Sequence, residues 1–229
     1  MNPAPFRSDD PRYPGMPTEV PFPPGPAPGR PGYPPPVPMV PMPQGPAPGD
    51  DLRSVVYERL LERRTIMLDR ALDAEAASLV AAQLMTLDGE GTAPVTLIVN
   101  SPGGPIEAAS AVLDTIDLVG GPVETTCLGH AVGTAAVVLA AGTGRRRIGG
   151  GAQVRLRLPE VELSGRAQSL DAEIAHLDHL RRTLIDRLAT RTGQERRLVE
   201  RDLDTGRSLT APEAVAYGLV DEVIAPGGG

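Results

Sequence analysis

Proline occurs 26 times in this chain of 229 residues, and 19 of the 26 stand within residues 1–50, leaving 7 for the 179 that follow. Each proline fixes φ and removes a backbone donor, so a segment this rich in proline builds neither a helix interior nor a central ladder. The run from Gly15 to Gly49 repeats Pro, Gly, Ala and Met with no apolar period. Residues 1–50 are therefore expected as a disordered, polyproline II-like tail. One folded domain is expected over 51–226, with 227–229 a flexible C-terminus. Two PxxP-like spacings, Pro23-Pro-Gly-Pro26 and Pro35-Pro-Val-Pro38, would suit a partner's groove, although a solvated spacer is the simpler expectation. No basic segment followed by an apolar run opens the chain, so no secretory signal is expected.

The charge balance narrows the partners. Twenty-two basic residues, all arginine, face 29 acidic ones for a net charge of −7. Mild acidity argues against nucleic acid. The run Arg145-Arg-Arg147 beside glycines reads as a solvated turn before a strand rather than a phosphate patch. Charges or glycines interrupt every apolar stretch before it could span a bilayer, so no membrane partner is expected. The lone cysteine, Cys127, lies in an apolar stretch and reads as a small buried hydrophobe; a single cysteine permits no disulfide framework and points to a cytoplasmic setting.

After Asp51 the texture changes to alternating elements. Residues 55–64 have helical spacing at Val56, Leu60 and Leu61, and Thr65–Leu68 is strand-like. Residues 72–87 predict an alanine-rich helix with Leu72, Ala76, Leu79, Val80, Gln83 and Leu87 near one face. Val95–Val99 is a continuous apolar and β-branched run, as in a buried parallel strand. A turn at Asn100–Gly104 leads to an amphipathic helix over 106–119. A second buried strand, 123–128, leads through Gly129 to a small-residue helix over 131–141. A loop is expected over 144–151, an alternating strand over 154–158, and the longest helix over 169–192. Strand and helix in alternation predict an α/β fold with ligand sites at the carboxyl ends of strands.

Two of those strand ends are glycine turns, Ser101-Pro-Gly-Gly104 and Gly129–Gly133. Glycine permits φ > 0 and close backbone approach, so two adjacent turns can aim N–H groups into one crevice as an oxyanion hole. The plainer alternative is that these glycines only let a helix pack tightly on its strand.

Residues 51–224 resemble the proteolytic subunit of the Clp protease (ClpP), within the ClpP/crotonase superfamily. The resemblance is carried without gaps by Val56-Tyr-Glu-Arg-Leu-Leu61, Val99-Asn-Ser-Pro-Gly-Gly104, Asp114-Thr115, Cys127-Leu-Gly-His-Ala131 and Leu139-Ala-Ala-Gly142. It continues with Thr192-Gly-Gln194, Glu200-Arg-Asp202, Leu209-Thr-Ala-Pro-Glu-Ala214 and Tyr217-Gly-Leu-Val-Asp221. It implies a spiral of ββα units with a protruding long helix, here 169–192, that interlocks two rings. It also implies heptameric rings of this chain or of a ClpP paralogue, and peptide hydrolysis in a chamber fed by an AAA+ ATPase. No cofactor or metal is implied.

The same resemblance locates a serine–histidine–aspartate triad, and this chain departs from it three times. Gly133 stands at the serine position, Arg157 at the histidine position and Gly206 at the aspartate position. Glycine offers no nucleophile, and a guanidinium with a pKa above about 12 cannot serve as a base near neutral pH. Loss of nucleophile or base costs on the order of 10⁶-fold in kcat. The chain is therefore expected to lack serine peptidase activity of its own and to act as a structural or regulatory subunit. By resemblance, substrate binding would use Gly103, Gly104 and Thr134, with the oxyanion hole formed by the N–H groups of Gly104 and Thr134. Pro105 removes the next donor, and Glu160–Ser164 replaces a glycine-rich segment of the family.

Two alternatives stay open. One is a crotonase-like enzyme that binds an acyl-CoA thioester through the same two donors. The other is a serine hydrolase with relocated residues, centred on His130 and drawing on Ser101, Ser110, Ser164, Ser169 or Ser208. His176 and His179, three apart on the long helix, lack a third metal ligand. Asp204 lies two residues before the acid position, with no base beside it.

Overall fold

The apolar run at 95–99 becomes the centre of a parallel sheet in the computed structural model, which describes residues 50–158 and 167–225. The expectations for the proline-rich tail, for Glu160–Ser164 and for 227–229 lie outside the described residues. The chain runs α1 (Asp50–Glu62), β1 (Thr65–Leu68), α2 (Ala74–Gly89), β2 (Val95–Ser101), α3 (Ile106–Leu118), β3 (Val123–Val132) and α4 (Thr134–Ala140). It continues with β4 (Arg146–Gly149), β5 (Gln153–Arg155), α5 (Ala167–Thr192), α6 (Arg196–Thr205), β6 (Ser208–Thr210), α7 (Ala211–Tyr217) and β7 (Glu222–Ile224). The expected α/β class is the observed one.

The sheet order is β1-β2-β3-β4-β7, with every neighbouring pair parallel. Along β2, Val95, Leu97, Val99 and Ser101 are buried while the residues between them are partly covered. Helices cross between the parallel strands, as such connections require. Asp73 caps α2 by accepting from the Ala76 N–H at 2.8 Å. The face α2 buries is Ala76, Ala77, Val80, Leu84 and Leu87; Leu79, expected on it, is 52% exposed. Of α5, Leu184, Ile185 and Leu188 enter the core.

Of the boundaries that differ from expectation, three reshape the sheet. The strand expected to end at residue 128 continues to Val132, so α4 begins at Thr134 rather than 131. The pairing explains the extension: Ser101 faces Ala131 after Val99 faces Cys127, so β3 carries a bulge, and its far end pairs with β5. The expected loop at 144–151 contains β4, and the arginine run is not a solvated turn. Arg146 pairs with Asp221, Arg147 with Glu124 and Arg145 with Glu222. The strand expected over 154–158 is confined to Gln153–Arg155, where β3 on one side and antiparallel β6 on the other supply its partners.

Candidate functional site

The end of β3 and the start of α4 meet in a backbone conformation that only glycine adopts without strain. Gly133 has φ 60° and ψ −121° and directly precedes α4. Its N–H donates to the Arg155 carbonyl at 2.8 Å. A Cβ on Gly133 would stand 2.6 Å from the Arg157 carbonyl oxygen. The backbone that follows β5 therefore occupies the space a side chain at 133 would need.

The Ser101–Gly104 turn is held by similar close approaches. A Cβ on Gly103 would lie 2.3 Å from the Val132 carbonyl oxygen, and one on Gly104 would lie 2.1 Å from that of Leu72. Ser101 is buried; its hydroxyl donates to the Arg70 carbonyl at 2.6 Å and accepts from the Gly103 N–H at 3.1 Å. The packing requirement for glycine is met here whatever the chemistry. It also brings the turn against α4, where the Thr134 hydroxyl accepts from the Gly104 N–H at 2.9 Å and donates to the Gly104 carbonyl at 3.0 Å. One of the two amides expected in an oxyanion hole thus has an internal partner. The hydroxyl's part was missed in the sequence, although a hydroxyl-bearing residue directly after Gly133 was the available signal.

Gly104, Gly133, Thr134 and Arg157 are brought together, lining one cavity of about 200 Å³. Arg157 also lines a second cavity, of about 350 Å³, with Arg155, Asp204 and Gly206. Gly206 is the left-handed cap of α6, at φ 75° and ψ 43°. All three expected triad positions therefore border on this pair of cavities, and Arg157 is common to both.

The other candidates lie apart from it. His130 is exposed on the β3 bulge, its backbone N–H donating to Asn100 Oδ1 at 3.3 Å, and it does not line the cavity at Gly133. His176 and His179 are exposed on α5, and no cluster of metal-binding side chains exists among the described residues. Ser110 turns back onto the Ile106 carbonyl at 3.0 Å, and Ser208 is exposed on β6. Ser164 and the side chain of Ser169 lie outside the described residues. Asp204 is engaged by Arg181 at 2.7 Å. Cys127 is buried, and burial pushes its thiol up to about 11, the state of an inert structural cysteine.

Compared with known protein families, residues 49–227 match the Clp protease family. The chain belongs to that family. Among curated relatives, this Clp-family chain is 37% identical over 171 residues to the ATP-dependent Clp protease proteolytic subunit 1 of Bifidobacterium longum (strain NCC 2705), covering 73% of each protein. It is 37% identical over 170 residues to the Corynebacterium glutamicum protein of the same name, covering 73% of this chain and 82% of that one. The α/β fold is the one the family resemblance implies. Among the described residues no helix is long and apolar enough to cross a membrane.

Proposed function

We propose that this Clp-family chain is a ring subunit without serine peptidase activity of its own, acting structurally or as a regulator within a Clp assembly. The observation that carries the reading is at Gly133: the nucleophile's position has no side chain, and the Arg157 carbonyl stands 2.6 Å from where a Cβ would be. Arg157 and Gly206, at the other two triad positions, supply neither base nor acid. The long helix α5, by contrast, keeps its packing into the core and its ion pairs to α6. Assembly is therefore the retained role: heptameric or double rings with itself or a ClpP paralogue, and docking to an AAA+ ATPase, in the cytoplasm.

The test is fluorogenic-peptide hydrolysis by the purified full-length chain, alone and mixed with an active ClpP paralogue, with the mass of each complex measured intact. The expected result is no turnover alone and a mixed ring in the second sample. Turnover by the isolated chain, abolished by a serine-directed fluorophosphonate, overturns the reading.

A further inference from the structure

The two glycine turns are fastened to each other by their own side chains. From the first turn, Asn100 Oδ1 accepts from the His130 backbone N–H at 3.3 Å. Just after the second, the Thr134 hydroxyl accepts from the Gly104 N–H at 2.9 Å and donates to the Gly104 carbonyl at 3.0 Å. The neighbouring backbone groups are taken as well. The Gly103 N–H donates to Ser101 Oγ at 3.1 Å, and its carbonyl accepts from the Leu72 N–H at 3.0 Å. The Gly133 N–H donates to the Arg155 carbonyl at 2.8 Å, and its carbonyl accepts from the Ala136 N–H at 3.1 Å. Each N–H and each carbonyl of Gly103, Gly104 and Gly133 thus has an internal partner. An oxygen bound by a backbone amide lies about 2.7–3.1 Å from the donor nitrogen. Thr134 Oγ1 already stands within that shell of the Gly104 nitrogen. Thr134 is fully buried and lines the same cavity of about 200 Å³ as Gly104 and Gly133.

We propose that Thr134 is an internal plug: its hydroxyl holds the place of a ligand's carbonyl oxygen on the Gly104 N–H and closes the crevice between the two turns to extended peptides. A peptide carbonyl reaches that amide only by displacing the hydroxyl, which strands the hydroxyl and the Gly104 carbonyl away from water. The hydroxyl also has the advantage of being part of the chain, because it loses none of the translational freedom that a free peptide gives up on binding. The inference goes beyond the absence of peptidase activity and does not depend on it. Loss of a nucleophile leaves peptide binding intact, whereas this contact removes the binding itself. If Thr134 served packing alone, removing its hydroxyl would change stability without changing affinity for a peptide.

Fluorescence anisotropy with a fluorescein-labelled, otherwise neutral Ala/Leu heptapeptide amide tests the proposal on three forms of the full-length chain. The natural chain and Thr134→Ser both keep the hydroxyl and are expected to bind the peptide weakly and alike. Thr134→Ala removes the hydroxyl and is expected to bind about tenfold or more tighter, the worth of one or two hydrogen bonds. Equal affinity of the alanine variant and the natural chain, or equal tightening in the serine variant, overturns the inference. Amide hydrogen exchange at Gly104 in the natural chain decides the matter even if the alanine variant does not fold. Exchange there is expected to be unchanged by millimolar unlabelled peptide; added protection would put a ligand on that amide and overturn the inference. Chromatography of the same mixtures reads cleavage separately: cleaved peptide overturns the non-hydrolytic reading, whereas intact peptide bound equally by the natural chain and the alanine variant overturns only this one.

Discussion

The Thr134 hydroxyl satisfies both backbone polar groups of Gly104, accepting from its N–H at 2.9 Å and donating to its carbonyl at 3.0 Å. Thr134 is fully buried, so removing the hydroxyl leaves two partners stranded away from water. Thr134→Val keeps the shape and is expected to cost about 1–3 kcal/mol in urea unfolding. Thr134→Ser, which keeps the hydroxyl, should retain most of that stability. Amide hydrogen exchange at Gly104 should quicken in the valine variant alone; unchanged exchange would show that the hydrogen bond has no hold on the turn.

Gly133→Ser puts a hydroxyl where the family resemblance expects a nucleophile, at a position that resists a side chain. The φ of 60° is strained for any side chain, and the Arg157 carbonyl must move away from the new Cβ. The expected outcome is a loss of about 1–3 kcal/mol in stability. Peptide turnover should stay at the blank, because Arg157 cannot accept the serine proton. A fluorogenic assay beside a thermal melt checks both, and turnover in this single variant would contradict the assigned role of Arg157.

The elements legible in the sequence were those whose signal is local. The apolar run 95–99, the alanine-rich α2 and the long α5 each carry a period or composition that no other element would produce. What escaped notice depends on residues far apart in the chain. β4 is only four residues long, has glycine near both ends and begins with two arginines, so it resembles a loop. Its cations are satisfied by Glu124 and Asp221, residues 23 and 75 positions away, which only the folded sheet brings near. At the site, the expected triad positions rest on the family resemblance rather than on any local signal in the residues themselves. The Thr134–Gly104 bond and the place of Arg155 beside Gly206 were not legible, because each joins separate strand–helix units. The alternation of Val154 and Leu156 with Arg155 and Arg157 was the local clue to the second.

Two aspartates test how burial sets the worth of an ion pair. The Asp202 carboxylate is 4% exposed and bonded to Arg207 at 3.0 Å, whereas Asp117 is 45% exposed between Arg187 and Arg191. Asp202→Ala is expected to cost about 2–4 kcal/mol, because a buried carboxylate is lost together with its hydrogen bonds to Arg201 and Arg207. Asp117→Ala should cost less than about 1 kcal/mol, falling further in high salt. Urea unfolding of both variants at low and high ionic strength makes the comparison; equal costs would mean that burial is not the deciding factor.

Cys127 is fully buried in β3, and burial alone pushes its thiol up to about 11. The folded chain at pH 8 is therefore expected to resist iodoacetamide, with labelling appearing only in denaturant. Mass spectrometry after a timed exposure reads the difference, and rapid labelling of the folded chain would place the sulfur nearer to solvent.

Asp221 ties β4 to the segment leading into β7 through Arg146, accepting from its backbone N–H at 2.8 Å as well as from its guanidinium. Burial acts to raise the Asp221 carboxyl, but the hydrogen bonds and charge of Arg146 outweigh it and hold the group below the usual carboxylate range. A folded-state value below the unfolded one means that stability is present above the unfolded pKa of about 4 and is lost as the pH falls through the folded value. Asp221→Asn is therefore expected to be less stable than the natural chain at pH 7. The gap should close as both are taken from pH 5 toward pH 2, because protonation then removes the charge from the natural carboxyl as well. Arg146 still donates to the carbonyls of Gly218 at 2.9 Å and Arg191 at 3.1 Å, so the variant should fold. Urea midpoints of the two proteins across that range measure the gap, and a difference that stays constant with pH would show that the Asp221 charge contributes nothing to it.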